Sequence, residues 1–229
     1  MKNQYSTFER ISNWIHNSIA LKLTSITILM LLLLIPASMV TSIVEEREQL
    51  SRQAINEVSS IWAEEQQING PILTLPVVYE YTVDNSTERH TKYVHFLPEE
   101  LSVNGEVLPT TLHRGIYDIV VYTSKLQAKG TFSLTLDIDT ANLQYIDYDK
   151  AFVTIGISDL RGIQEDIDFT LQDRILKVDP GSKITDVIKS GITLSDLPTE
   201  DLKAGSLPFA FQLNLQGSQH LSFIPIGNT

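Results

Sequence analysis

Five histidines, a run of aspartates and the glutamate pair Glu99-Glu100 are the residues of this 229-residue chain from which chemistry could be assembled. His90 and His95 are the closest histidines, and their odd separation on one strand points them to opposite faces. They read as single exposed or hydrogen-bonded histidines, because a metal site built on them needs distant ligands. Asp137 and Asp139 share a strand face, and Asp147 and Asp149 follow, which suggests calcium. The spacing lacks the glycine and the terminal glutamate of an EF-hand loop, so a solvated face on an acidic domain is the reading. Paired carboxylates for glycosidic chemistry need a defined separation that nothing here fixes, and Glu99-Glu100 reads as a turn. The chain has no Gly-x-Ser-x-Gly elbow, no phosphate-cradling glycine loop and no Gly-x-Gly-x-x-Gly. Without cysteine, disulfides, thiolate nucleophiles and Cys-ligated zinc or iron–sulfur clusters are excluded. Asn85-Ser86-Thr87 fits a glycosylation sequon, which matters only in a eukaryotic secretory setting. No catalytic, cofactor-binding or metal-ligating residue is assigned, and the chain is not read as an enzyme.

The elements that carry these residues begin with a membrane segment. Residues 23–44 contain no charged side chain, and Ile26 to Ile35 is wholly apolar apart from Thr27. A hydrocarbon core about 30 Å thick needs roughly 20 such residues as helix, since every backbone group must be satisfied internally. Pro36 is expected to kink this helix rather than end it. The run is longer than a signal-peptide core and continues through Met39 and Val40 past the small residues Ala37 and Ser38, so it reads as an uncleaved anchor. Lys2, Arg10 and Lys22 before it outweigh Arg47 and Arg52 after it, which favours a cytoplasmic N-terminus. Within residues 1–22, Phe8, Ile11, Trp14, Ile15 and Ile19 fall at helical spacing, an amphipathic pattern suited to the membrane surface. The net charge is −11, with Glu45, Glu46 and Glu48 just beyond the span. An acidic domain repels phosphate backbones, so the bilayer rather than nucleic acid is the expected partner.

Residues 45–69 place Leu50, Ala54, Val58, Ile61 and Trp62 at helical spacing and read as a stalk that Gly70-Pro71 stops. Beyond it, in residues 70–229, the period changes from about 3.6 to 2. Val77, Tyr79, Tyr81 and Val83 alternate with polar or smaller residues, as do Phe132, Leu134, Leu136 and Ile138. Further strands are expected at 92–97, 116–122, 152–157, 167–171, 209–215 and 221–226, a hairpin turn at Asn104-Gly105 and a short helix at 185–190. The fold class is mainly β: antiparallel sheets, sandwich-like or elongated, behind one helical anchor.

Four phrases, in order, are the tryptophan-bearing stalk end leading into GPILTLPV (70–77), HRGIYDIVVY (113–122), VTIGISDLRGI (153–163) and LQGSQHLSFIPIGNT (215–229). Together they resemble the CreD family of bacterial inner-membrane proteins, also described as colicin-tolerance proteins. The resemblance implies an inner-membrane protein with a large periplasmic domain followed by C-terminal membrane helices. Its β domain is then expected to be incomplete at Thr229. It also implies a non-enzymatic role in envelope integrity and in the response to β-lactams and colicins. An envelope protein or lipid is a candidate partner, and the oligomeric state stays open. The phrases also have physical roles of their own. Gly70, Pro71 and Pro76 fit a helix stop and a rigid strand entry. Arg114 and Gly115, opening the strand of Tyr117, and Ser158, Asp159, Arg161 and Gly162 fit tight turns. Asp159 with Arg161 or Arg114 is a candidate ion pair, buried or partner-facing, because a buried charge is costly unless paired. Two other readings compete: a lipid-, peptide- or glycan-binding module of a transporter, and, ranked last, an envelope hydrolase.

Overall fold

A computed structural model describes residues 19–83, 86–135 and 138–226. The amphipathic segment before Ile19, Asn85 of the sequon, and Leu136 and Asp137 lie outside the described residues. Within them the chain divides at Gln53/Ala54 into two compact units. The first is built on α1 (Ile19–Trp62), which continues through Pro36 without interruption. Its most apolar stretch has a mean hydropathy of 2.3, and by length and composition it suffices to cross a membrane. Hydroxyls in that stretch are satisfied by carbonyls a turn earlier, Thr27 on Leu23 and Thr41 on Ala37 among them. An apolar solvent offers them no other partner.

The second unit comprises the last turns of α1 and two packed sheets. One holds β1 (Gln66–Val83) at its centre, with β6 (Phe152–Ile157), β10 (Gly191–Leu194) and β9 (Val178–Pro180) extending from it. Also paired to β1 are β2 (Ser86–Phe96), β5 (Leu143–Ile146) and β12 (Leu221–Ile224). The other sheet runs β3 (Pro98–Arg114), β4 (Tyr117–Ser133), β11 (Ser206–Ser218), β7 (Asp168–Leu171) and β8 (Arg174–Leu176). All pairs are antiparallel except β1 with β12, which is parallel. Alternate residues of both sheets meet in one core: Leu73, Leu75, Val153 and Ile155 from the first, Phe132, Phe169, Phe209 and Leu213 from the second. This is the sandwich solution for sheets with one apolar face each. The β4 strand is buried on both faces in turn. Ala128 and Phe132 enter the core, whereas Ile119 and Val121, of opposite parity, pack with Ala54 and Val58 of α1.

Several local expectations are corrected. The helix ends at Trp62, not at Gly70-Pro71, and Ala63 (φ 148°) turns the chain away. Gly70 (φ 95°) and Pro71 lie inside β1, at the register shift against β6 between Asn69 and Ile72. A proline that donates no ladder bond is tolerated at such a bulge. Asn104-Gly105 is not a turn but mid-strand in β3, opposite Gln127 and Leu126; the turn falls at Gly115-Ile116. A Cβ on Gly105 would lie 2.6 Å from the Lys125 carbonyl oxygen, so glycine serves close approach of β4 here. Gly105→Ala is expected to destabilise the unit by about 1–3 kcal/mol, read as a lowered denaturation midpoint. Glu99-Glu100 sits at a register irregularity within β3 rather than in a turn. Residues 185–190 form a single turn in which Val187 and Ile188 both donate to the Ile184 carbonyl. The short helix is instead α2 (Thr199–Lys203). The alternation expected to reach Ile138 ends as strand at Ser133.

Candidate functional site

The residues singled out by sequence fall mainly at one place, where α1 enters the sandwich. Trp62 closes the helix, Gln66 opens β1, Asp159 follows β6, Tyr122 lies in β4 and Ser218 ends β11, so both sheets meet the helix end. Trp62 Nε1 donates to the Tyr122 carbonyl at 3.3 Å, and the Tyr122 hydroxyl donates to the His220 carbonyl at 2.7 Å. Burial pushes the Tyr122 phenol up to about 12. Ser59 and Ser218 share a buried hydroxyl–hydroxyl bond of 2.7 Å, and Gln216 Nε2 donates to the Trp62 carbonyl.

Ser158 and Asp159 bind the other side of this junction. Ser158 Oγ donates to the Glu65 carbonyl at 2.8 Å and accepts from Gln67 N–H at 2.9 Å. Asp159 accepts from Glu64 N–H at 3.0 Å and Arg161 N–H at 3.1 Å, and receives the Arg161 guanidinium at 2.9 and 2.7 Å. Its side chain is 11% exposed, against 55% for Arg161. The Arg161 side-chain hydrogen bond, joined by Glu64 and Arg161 N–H and opposed by burial, holds the Asp159 carboxyl below its ordinary range. Arg161 also reaches the Ser60 carbonyl and Glu64, both 3.3 Å away. Gly162 closes the 3-10 turn Leu160–Gly162, and a Cβ there would lie 2.4 Å from Gln66 Nε2 and from the Gln216 carbonyl. Fully buried Gln66 donates to the Asp159 carbonyl at 3.0 Å.

Asp159 thus pairs with Arg161, while Arg114 pairs with Glu57 of the helix at 2.9 Å. Gly115 (φ 63°) makes the β3–β4 turn, and half-buried Tyr117 packs beside Ile119 and Val121. Gly70, Pro71 and Pro76 lie along β1, away from this ion pair, Pro76 opposite Tyr93. Gln66, Ser59, Ser218 and half-buried Gln216 escape a sequence reading, because a buried polar side chain has no periodicity of its own, and exposed His220 takes part only through its backbone carbonyl. The close approaches at Gly162 and Gly217 are their only trace: a Cβ on Gly217 would lie 2.3 Å from the Tyr122 hydroxyl. Among the described residues, no group of His, Asp or Glu side chains is gathered to hold a metal ion. Asp147 pairs with Lys150, Asp149 accepts from Thr199, and Asp139 accepts from Ala141 N–H. The arrangement spends its charges and hydroxyls on joining helix to sheets.

A family model described as "Inner membrane protein CreD" matches residues 18–229. The inner membrane protein CreD of Escherichia coli strain K12 is 30% identical over 210 residues, covering 90% of this chain and 46% of the relative. The chain therefore spans about half the length of this curated relative. No solved structure matches it.

Proposed function

This chain belongs to the CreD family of inner membrane proteins, and on that premise we propose that it is a non-enzymatic envelope protein. Its N-terminus is cytoplasmic, α1 crosses the inner membrane, and the sandwich works in the periplasm in envelope integrity and in the response to β-lactams and colicins. The observation that carries this reading is the junction at Trp62, Gln66 and Asp159. Residues from all four family phrases meet there, and their polar groups are consumed in fixing a β domain to an apolar helix. The bilayer is the first partner, through 23–44, and an envelope protein or lipid the second. A binding module serving membrane helices is a second reading, favoured by an aromatic cleft on the first sheet.

The natural absence of cysteine makes the topology directly testable. Asp173→Cys, in the exposed β7–β8 turn, is expected to react with a membrane-impermeant maleimide in intact spheroplasts, and Ser6→Cys only after lysis. The opposite pattern removes the proposed orientation. For the envelope role, deleting the gene should alter β-lactam or colicin susceptibility, restored by the native gene; unchanged susceptibility refutes it.

A further inference from the structure

On the outer face of the first sheet, Ile184 and Ile188 of the segment between β9 and β10 cover Ile72 and Phe152. Beside that cover the same face carries a cleft of about 540 Å³ over a buried floor. Pro76, Val78 and Phe152 floor it, and the rings of Tyr93 and Tyr145 stand in its walls, 56% and 49% exposed. The size lies within the range of small-ligand sites. We propose that this cleft binds a neutral oligosaccharide, a reading that rests on the periplasmic placement proposed above and deepens its binding-module form.

Three properties select that ligand class. First, charge is balanced: Arg89, Lys150 and Lys183 face Asp147, Asp149 and Asp196 around the rim. Several are already engaged, Lys150 with Asp147 at 2.8 Å, Arg89 with Glu80 at 3.0 Å and Lys183 with Ser195 at 2.7 Å. A strongly anionic or cationic ligand therefore meets no net opposite charge, and a purely apolar one meets a charged rim. Second, the β1 backbone beneath the cleft is already paired, Pro76 and Val78 with Tyr93 and Thr91 of β2, Val77 and Val78 with Ile146 and Tyr145 of β5. An extended peptide finds no free edge on the β1 floor, and the edges of β2 and β5 left unpaired among the described residues lie beyond the tyrosine walls; the tetrapeptide arm of the test decides whether they are used. Third, two half-exposed tyrosine rings stand beside side chains rich in donors and acceptors. A pyranose ring has an apolar C–H face for such rings and hydroxyls at its edge for the rim.

The test uses the full chain in amine-oxide micelles, which carry no sugar headgroup, titrated with chitotetraose and maltotetraose by saturation-transfer NMR and calorimetry. Saturable binding of at least one is expected, weakened about tenfold or more by Tyr145→Ala. Tyr145→Phe, which keeps the ring, and Gln212→Ala, on the other sheet, should bind as the native chain. No saturable binding of either saccharide overturns the proposal. So does equal binding by the native chain and Tyr145→Ala, or selective binding of a tetrapeptide or of phosphoglycerol in their place. Maleimide labelling separates the two readings: a domain labelled from outside that binds neither saccharide sinks only this inference, whereas one labelled only after lysis sinks the placement on which it rests.

Discussion

Replacing Phe169 by alanine is expected to lower the unfolding free energy of the sandwich by about 3–5 kcal/mol, measured by denaturant titration of the full chain in micelles. Phe169 is completely buried in the core shared by both sheets. Its ring stacks on Phe211 at 5.6 Å and on Phe209 at 6.0 Å, each tilted by 11°, and Phe209 in turn meets Phe132 at 4.7 Å. The alanine variant forfeits the transfer energy of the ring, the stacking on two neighbours and the contacts of whatever cavity fails to collapse. Strand pairing places these rings: Phe169 lies opposite Phe211 in the ladder, and Phe209 opposite Leu171 and Gly130. A Cβ on Gly130 would lie 2.7 Å from the Phe209 ring, so the missing side chain makes room for the aromatic layer. Ile175→Ala, at a site 75% exposed on β8, should change stability by less than about 0.5 kcal/mol. If both variants cost equally little, the aromatic layer is not the core of a sandwich.

That the strand at 167–171 is legible in sequence, and the partners of Phe169 across the core are not, shows where sequence patterning ends. Alternation assigns Phe209, Phe211 and Leu213 to one face because side-chain direction in a strand depends on local parity alone. Which strand lies beside which depends on closures over long loops, and no local pattern encodes them. Residues 122 and 220 meet across a separation of 98, and residues 66 and 159 across 93. The same limit explains the misplaced turn. Asn-Gly carries the strongest short hairpin signal, yet its glycine can equally answer a neighbouring strand that approaches too closely for a Cβ, and only the β4 backbone distinguishes the two. At 119–122 the consecutive apolar run hides a change of face, because β4 serves the helix with one side and the core with the other. The junction phrases were visible as turn chemistry around Asp159 and Gly162. That those turns grip a helix end was not, since Gln66 and Ser218 look like ordinary surface residues in sequence.

Asp159→Ala is expected to cost about 2–4 kcal/mol at neutral pH, and Arg161→Ala clearly less, although the two side chains form one ion pair. The asymmetry follows from burial. Arg161 is more than half exposed, so its removal returns little-desolvated groups to water. The Asp159 side chain is only 11% exposed, and its loss takes the acceptor from the N–H groups of Glu64 and Arg161, whereas the guanidinium keeps water, the Ser60 carbonyl and Glu64. Acid titration separates the carboxylate from the shape of its side chain. Because the folded-state value is depressed, the unfolded chain binds more protons in the interval below about pH 4, and stability rises with pH across it. The stabilisation is thus complete above the ordinary carboxylate range and is lost as pH falls through the folded-state value. Asp159→Asn should remove that part of the acid limb, so that its stability curve approaches the native one only at the acid end. Parallel native and Asn curves throughout the acid limb would mean that the turn is held by geometry alone. Convergence would assign the grip on the helix end to one carboxylate charge, contributed by the phrase at 153–163 and held by the Arg161 guanidinium together with the N–H groups of Glu64 and Arg161.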